Sequence, residues 1–334
     1  MKTIWFDITN TPHVHFFKPI MDRYTGRVNS IVSVRDYSEA VELALKSFRL
    51  QPNVIGGHGG GYRVRKVVKL LSRLNVLRTK IAGFDYALSC GGFESCILAK
   101  LGRKVSIVFD DNDLSPNWMY ARIADHVFFP AAVKVDVLRK QGFNGLKLHQ
   151  YEGYKEDIYV ANYEPDNNFL LNLPYSDYVV VRPENVMASY SGKRTRTIVP
   201  ELLRSLSRQK VNVLYLPRAS NEHCYAYGID RVFIPRKPLN GLDVCFFSTA
   251  VLSGAGSLTR EAACLGKPAV SFYAGKRFLA VDLKMMKDKW LFHSRSPDDI
   301  IEYLRHARPR VFERERAKRV QNAFFAKLDR IILR

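Results

Sequence analysis

The stretch that decides the fold reads Ala250-Val251-Leu252-Ser253-Gly254-Ala255-Gly256-Ser257-Leu258-Thr259-Arg260-Glu261-Ala262-Ala263-Cys264-Leu265-Gly266-Lys267-Pro268. A short apolar strand runs straight into a Gly-Ala-Gly-Ser turn. Residues 258–265 then have helical character, closed by Gly266 with Pro268 just beyond. Strand, glycine turn and helix in that order bring free backbone N–H groups and the positive end of a helix dipole to one point, where a phosphate can be held. Gly254 and Gly256 allow close backbone approach, Ala255 lies between them, and Ser257 and Thr259 offer hydroxyl donors. Glu261 stands on the first turns of the helix, where a carboxylate can accept ribose hydroxyls. A dinucleotide fingerprint is not expected, because the G-x-G-x-x-G continuation is missing. The expected ligand is a nucleotide diphosphate.

Working outward, the same rhythm of apolar strand and helical segment fills the chain, which implies parallel sheets built from βαβ units. In the first half, strands are expected at 3–8, 28–34, 53–55, 86–89, 104–109 and 126–129. Helical segments fall at 16–24, 37–48, 62–82, 93–101 and 131–141. Residues 151–174 break the rhythm with scattered Asp, Glu, Asn, Tyr and Pro and read as a connection. Strands resume at 178–181, 211–216, 232–234, 250–253 and 269–272, with helices at 199–208, 258–265, from Pro297 after a Ser296 cap, and at 310–334. The fold class is α/β: two Rossmann-like, doubly wound parallel-sheet domains, 1–155 and 156–309, followed by a basic amphipathic helix, 310–334. In such a fold the ligand is expected in a cleft at the carboxyl ends of the strands.

Two long pieces of the chain carry a family resemblance. Residues 252–271, containing the turn, resemble the donor motif of glycosyltransferase-B proteins, whose outline MurG-type N-acetylglucosaminyltransferases and UDP-N-acetylglucosamine 2-epimerases share. Asp7-Ile8-Thr9-Asn10-Thr11-Pro12-His13-Val14-His15-Phe16-Phe17-Lys18-Pro19 is similar to the start of a prokaryotic domain-of-unknown-function family. Val108-Phe109-Asp110-Asp111-Asn112 and the segment from Ala274-Gly275-Lys276 to Ala280-Val281-Asp282 match the same family. The resemblance spans nearly the whole chain and implies the GT-B fold. The one departure is Gly256-Ser257 after Ala255, where the family carries glycine and threonine, a conservative change. In MurG-like enzymes the matching first loop also holds a histidine close to the acceptor, and that analogy points to His13.

The residues support several roles at the strand ends. His13, in the loop after the first strand, is a candidate general base because an imidazole titrates near working pH. His15 and Asn10 of the same loop are placed at the acceptor or sugar. Asp110 and Asp111 follow the strand 104–109 as further catalytic candidates, and Gly91-Gly92 forms a second anion-capable turn. Arg182 and Arg218 end two adjacent strands of the second half, and their planar forks suit a pyrophosphate. Asp282 is a possible sugar ligand. No metal is expected, since nothing near the two histidines completes a ligand set, and no cofactor beyond the nucleotide sugar is called for. Gly56–Gly61 is expected as a mobile lid or a plain connection.

Composition sets the remaining bounds. Fifty-two Lys and Arg against 32 Asp and Glu give a net charge of +20, which favours anionic partners. Residues 62–81 carry seven basic residues and no acidic one, interleaved with apolar residues at helical spacing. With the basic C-terminal helix, this segment is a candidate surface for an anionic membrane and a lipid-linked or glycan acceptor. Nucleic acid is the weaker partner, for want of any RRM, KH or helix-turn-helix signature. The five cysteines are odd in number and lack CxxC spacing, as expected of buried thiols in a reducing compartment. Met1 leads directly into a strand and no apolar run reaches membrane length, so a cytoplasmic protein is expected, at most peripheral to the membrane's inner face. Glycosyl transfer without a metal is the leading expectation. A sugar-nucleotide 2-epimerase comes second, and a non-catalytic binder of nucleic acid or anionic lipid third.

Overall fold

The structure, a computed structural model, describes residues 1–36, 40–48, 50–57, 63–184 and 196–333. It divides into two compact units. Unit 1 comprises Met1–Ala161, Leu279–Val281 and Arg316–Arg334; unit 2 comprises Asn162–Phe278 and Asp282–Glu315.

Unit 1 contains β1 (Thr3–Ile8), α1 (Thr11–Tyr24), β2 (Asn29–Asp36), α2 (Ala40–Ser47), β3 (Asn53–Gly57), α3 (Arg63–Lys80), β4 (Tyr86–Cys90), α4 (Phe93–Leu101), β5 (Val105–Phe109), α5 (Trp118–Ala121), β6 (His126–Pro130), α6 (Val135–Lys140), β7 (Leu148–Tyr151) and α7 (Lys155–Val160). Its seven strands run in the order β3-β2-β1-β4-β5-β6-β7 and every described pairing is parallel. The order reverses between β1 and β4, and an open parallel sheet has its crevice at such a point. From Ile4 to Ile8, β1 is apolar and buried except for Asp7, a fully buried carboxylate. That one carboxylate has to be paired.

In unit 2, β8 (Val179–Arg182), α8 (Val199–Arg208), β9 (Val213–Tyr215), β10 (Val232–Phe233), α9 (Gly241–Phe247), β11 (Ala250–Ser253), α10 (Gly256–Cys264) and β12 (Ala269–Ser271) repeat the pattern. α11 (Ala280–Lys287), β13 (Phe292–His293), α12 (Pro297–His306) and α13 (Arg314–Ile332) complete the chain. The six strands run β10-β9-β8-β11-β12-β13, again parallel, with the reversal between β8 and β11. Val181, Leu202, Leu206, Tyr215, Leu252, Phe272 and Ile300 form its core.

Several expectations need correction. Residues 148–160 form β7 and α7, and unit 1 extends to Ala161 instead of 155. β7 carries no strand signal in the sequence, because Leu-His-Gln-Tyr has too few apolar residues to show a strand's alternation. α9, α11 and the two-residue β13 were likewise not expected. Residues 11–15 are the first turns of α1 and not a loop, with Pro12 at the start, where its missing N–H costs nothing. The C-terminal helix begins at Arg314 and is no separate element: most of it belongs to unit 1. Phe324 sits among Phe16, Phe109, Phe128 and Tyr151 with ring centroids 5.4–6.0 Å apart, and Val320, Leu328 and Ile332 are buried beside it. Burial of this kind is worth about 1.5–3 kcal/mol per large side chain. The apolar side of α13 is therefore occupied and does not form the membrane surface expected of it. The Ser296 cap is present, its hydroxyl accepting from Asp299 N at 3.3 Å. Residues 58–61 of the expected glycine lid lie outside the described residues. No described helix is long and apolar enough to cross a membrane.

Candidate functional site

In unit 2 the turn stands at the strand reversal. Ser253 of β11 pairs with Arg182 of β8, and Gly254 N donates to Arg182 O at 3.1 Å. A Cβ on Gly254 would lie 2.3 Å from Glu184 Cγ and 2.5 Å from Glu184 Cα. Only glycine lets the chain leaving β8 pass this close. A Cβ on Gly256 would lie 2.3 Å from Arg260 Nη1, so that glycine leaves room for the guanidinium. α10 then begins with Ala255 at its N-cap, in extended conformation and with no side-chain cap. The first N–H groups of the helix have no intrahelical acceptor. A ligand oxyanion placed there would meet the positive end of the dipole.

The side chains around the turn are more committed than the sequence implied. Thr259 is fully buried and its hydroxyl donates to Gly256 O at 2.8 Å, so it braces the turn and its proton is not offered to a ligand. Asp282, expected at the sugar, is ion-paired with Arg260 at 3.0 Å. Glu261 is buried against the start of α9, its Oε2 3.7 Å from where a Cβ on Gly241 would stand. Ser257 is half-buried in the first turn of α10. Arg218 is anchored, its Nε donating to Pro183 O at 2.9 Å and its backbone N to Glu222 Oε2 at 2.6 Å. The Arg182 guanidinium, half-buried at the end of β8, has no hydrogen-bonding partner among the described residues. Sequence reasoning missed Glu184. This buried carboxylate accepts from Thr197 Oγ1 at 2.7 Å and Arg295 Nη1 at 3.0 Å, and Arg295 also reaches Phe272 O at 2.7 Å. The pair ties the ends of β8 and β12 together. Its signal was the position of Glu184, two residues past Arg182.

In unit 1 the structure gathers His13, Asp110, Asp111, Gly91 and Gly92 at the carboxyl ends of β1, β4 and β5. Asp110 is held on three sides: Oδ1 accepts from Asp111 N at 2.8 Å and Asn112 N at 2.9 Å, and Oδ2 accepts from Tyr120 Oη at 2.5 Å. Burial, with the charge of Asp111 beside it, pushes its pKa up to about 6 despite those donors. Asp111 is buried and ion-paired with Lys155 of α7 at 2.6 Å. Gly91 has φ +63°, and a Cβ there would stand 3.1 Å from Asp110 Oδ2. A Cβ on Gly92 would come within 2.5 Å of Ser89 Cβ.

His13 lies at the start of α1 with Nδ1 3.3 Å from Thr9 Oγ1. Burial and the nearby Lys155 charge lower its pKa to about 3, with Asp111 and Asp7 opposing them only in part. His15 stacks on Tyr159 with centroids 6.0 Å apart, and burial lowers it to about 4. Asn10 is an exposed N-cap without a side-chain cap bond. Asp113 accepts from Ala280 N at 3.0 Å, so Asp111 and Asp113 face different partners and do not form a chelating pair. Among the described residues no three His, Cys, Asp or Glu gather as metal ligands. Beneath this group lies a second set the sequence did not reveal. Arg73 of α3 reaches inward and binds both Asp7 and Glu94, Ser33 Oγ donates to Asp7 at 2.7 Å, and Arg35 donates to Glu94 at 2.9 Å. Arg73 read as one more cation of a basic helix; only the burial of Asp7 hinted at a partner.

The geometry can be set beside known proteins. Residues 2–333 match the family described as "Protein of unknown function (DUF354)". The chain belongs to that family. It is similar to the uncharacterised protein MJ0665 of Methanocaldococcus jannaschii, 22% identical over 320 residues and covering 90% of each chain. Among solved structures it is similar to UDP-N-acetylglucosamine 2-epimerase of Rickettsia bellii, with a TM-score of 0.69 and 12% identity over 99% of this chain and 98% of that one. The M. jannaschii UDP-GlcNAc 2-epimerase in complex with UDP-GlcNAc and UDP gives 0.68 at 13% identity, over 96% and 99%. The glycotransferase of kitacinnamycin gives 0.58 at 11%, over 97% and 95%. At these identities the likeness is one of fold, and that fold is GT-B: two parallel-sheet α/β domains.

Proposed function

We propose that this chain is an enzyme acting on a nucleotide diphosphate sugar without a metal, with the diphosphate held at the Gly254–Ser257 turn. The observation that carries the reading is the uncapped N-terminus of α10, set behind two glycines that leave no room for a side chain. Beside it Arg182 adds a fork that has no partner among the described residues. The fold neighbours crystallised with UDP or UDP-GlcNAc support the same class of ligand.

The leading reaction is transfer of the sugar to a lipid-linked or glycan acceptor hydroxyl. The geometry favours Asp110 over His13 as the base. A group with a pKa near 6 matches working pH, whereas an imidazole lowered to about 3 stays neutral but accepts a proton weakly. Asp111, fixed by Lys155, and the Tyr120 hydroxyl position Asp110. The second reading is epimerisation of the sugar next to the anomeric carbon. It needs a base and an acid on opposite faces of the sugar, and Asp110, Asp111 and His13 are the groups that could supply them.

One incubation separates the two. The protein is mixed with UDP-, GDP- and dTDP-sugars in deuterated water, with and without glycan acceptors. Acceptor-dependent release of nucleoside diphosphate indicates transfer; deuterium entering the sugar indicates epimerisation. Asp110→Asn should keep the thermal shift given by the nucleotide sugar and lose turnover by about 100-fold or more. A full complement of turnover in that variant would return the role to His13. Absence of any thermal shift with all donors would end the proposal.

A further inference from the structure

α3 has two sides of opposite character. Arg73 and Leu77 are buried, Leu74 is half-buried, and the two leucines pack with Trp5, Ile55 and Ile81. The other side exposes Val68 to 59% and Leu71 to 57%, together with Ser72, Asn75 and Thr79, and Lys69, Arg78 and Lys80 are exposed on the same helix. Across Arg63–Lys80 there is no acidic residue. Unit 1 also carries the larger part of the excess of 52 Lys and Arg over 32 Asp and Glu.

We propose that the outer side of α3 is a docking surface for an anionic lipid bilayer. Charge and apolar character on this side both match such a surface. A helix held down by its inner face, with exposed aliphatic side chains between cations, can lie in a headgroup layer and place the aliphatic groups at the acyl boundary. Each Lys or Arg near an anionic surface strengthens binding about fivefold, and the aliphatic pair adds about tenfold on insertion. A nucleic-acid backbone would use the cations but gains nothing from Val68 and Leu71. α13 cannot serve instead, because its apolar side is in the unit 1 core. The surface is independent of the catalytic reading, since none of its residues was placed at the site.

The test is co-sedimentation of the full chain with phosphatidylcholine vesicles, with and without about 30% phosphatidylglycerol, at low salt and at about 0.5 M salt. The wild type is expected to sediment only with the anionic vesicles and to be released by salt. K69Q/R78Q/K80Q should weaken binding more than tenfold and V68S/L71S about tenfold, while K134Q/R139Q/K140Q, which removes three exposed cations near α6, should leave it within twofold. Far-UV circular dichroism and the nucleotide-sugar thermal shift should be unchanged in all three. The proposal is overturned if the wild type ignores anionic vesicles, if the α3 variants bind as it does, or if the α6 variant loses as much. Loss of RNA binding in the α3 variants without any vesicle binding by the wild type would also overturn it, in favour of nucleic acid.

Discussion

The two units present similar strand ends with opposite chemistry. In unit 2 the site is backbone: a glycine turn and uncapped helix N–H groups, with Thr259, Asp282 and Arg260 turned to holding the turn in shape. In unit 1 the site is side chains: Asp110, Asp111, His13 and Lys155 over the buried set of Asp7, Arg73, Glu94 and Arg35. Backbone donors at a helix end keep their charge at every pH and suit a constant task such as holding a diphosphate. Clustered titratable groups perturb one another, which suits moving a proton. Under the proposed function, binding would fall to backbone donors in unit 2 and proton transfer to side chains in unit 1.

The strongest way to break this contrast is to remove its buried ion pairs. Arg73→Met should cost about 3–5 kcal/mol, because among the described residues it leaves the buried Asp7 carboxylate with only the Ser33 hydroxyl and Glu94 with Arg35 alone. Arg260→Met should cost less, since Asp282 keeps more solvent at its side chain. Urea unfolding of both variants checks the order. An equal loss would mean that unit 2 relies on buried charge as much as unit 1 does.

Acid offers a second cut. Folding holds His13, His15 and His149 at about 3, 4 and 4, below the ordinary 6.5, chiefly through burial. A lowered histidine contributes fully above the unfolded value and loses that contribution as pH falls from 6.5 towards the folded one. Asp110 runs the other way: raised to about 6, its contribution is full below the ordinary carboxyl range and is lost as pH rises through 6. Three histidines outweigh one carboxyl, so unit 1 should open first between pH 6.5 and 5. Hydrogen exchange followed by mass spectrometry at pH 7.5 and pH 5 reads this directly. Earlier exchange in β8, β11 and β12 would contradict it.

A third and smaller effect concerns the turn itself. Gly254→Ala brings a methyl against Glu184 backbone atoms that cannot rotate away. About 1–3 kcal/mol of stability should go with it, together with the thermal shift produced by a nucleotide sugar. Gly256→Ala should do less to the fold, because a side-chain atom of Arg260 is what it meets.

How much of this was legible beforehand follows the same division. Local signals showed well: the 199–208 helix, the 250–253 strand and the Ser296 cap appear as read, and so does the glycine turn. The strand reversal that puts Ser253 beside Arg182 gave the sequence-level site its place. What could not be read was pairing across the fold. Nothing in the spacing of residues 7, 33, 73 and 94 announces that they meet, since the contacts are made by sheet order and helix packing. The role expected of His13 depended on a normal imidazole. Only the surroundings, Lys155 above all after burial, show that it is not one.

The smallest predicted change is also the most direct probe of the uncapped start of α10. α1, α4 and α10 begin without a side-chain hydrogen bond at Asn10, Gly92 and Ala255, as do α5, α6 and α8 at Asn117, Lys134 and Ile198, whereas α9 and α12 are capped by Asn240 and Ser296. Ala255 sits at φ −137° and ψ 141°, a conformation from which an aspartate can accept from the N–H groups two and three residues on. Ala255→Asp should therefore raise the stability of the empty protein by about 1 kcal/mol. The same carboxylate would occupy the donors proposed for the diphosphate and repel it. With saturating nucleotide sugar, the wild type should gain melting temperature while the variant gains little, so that the order of the two melting temperatures inverts on adding ligand. If the variant keeps its advantage with ligand present, the N–H groups of α10 are not where the diphosphate binds.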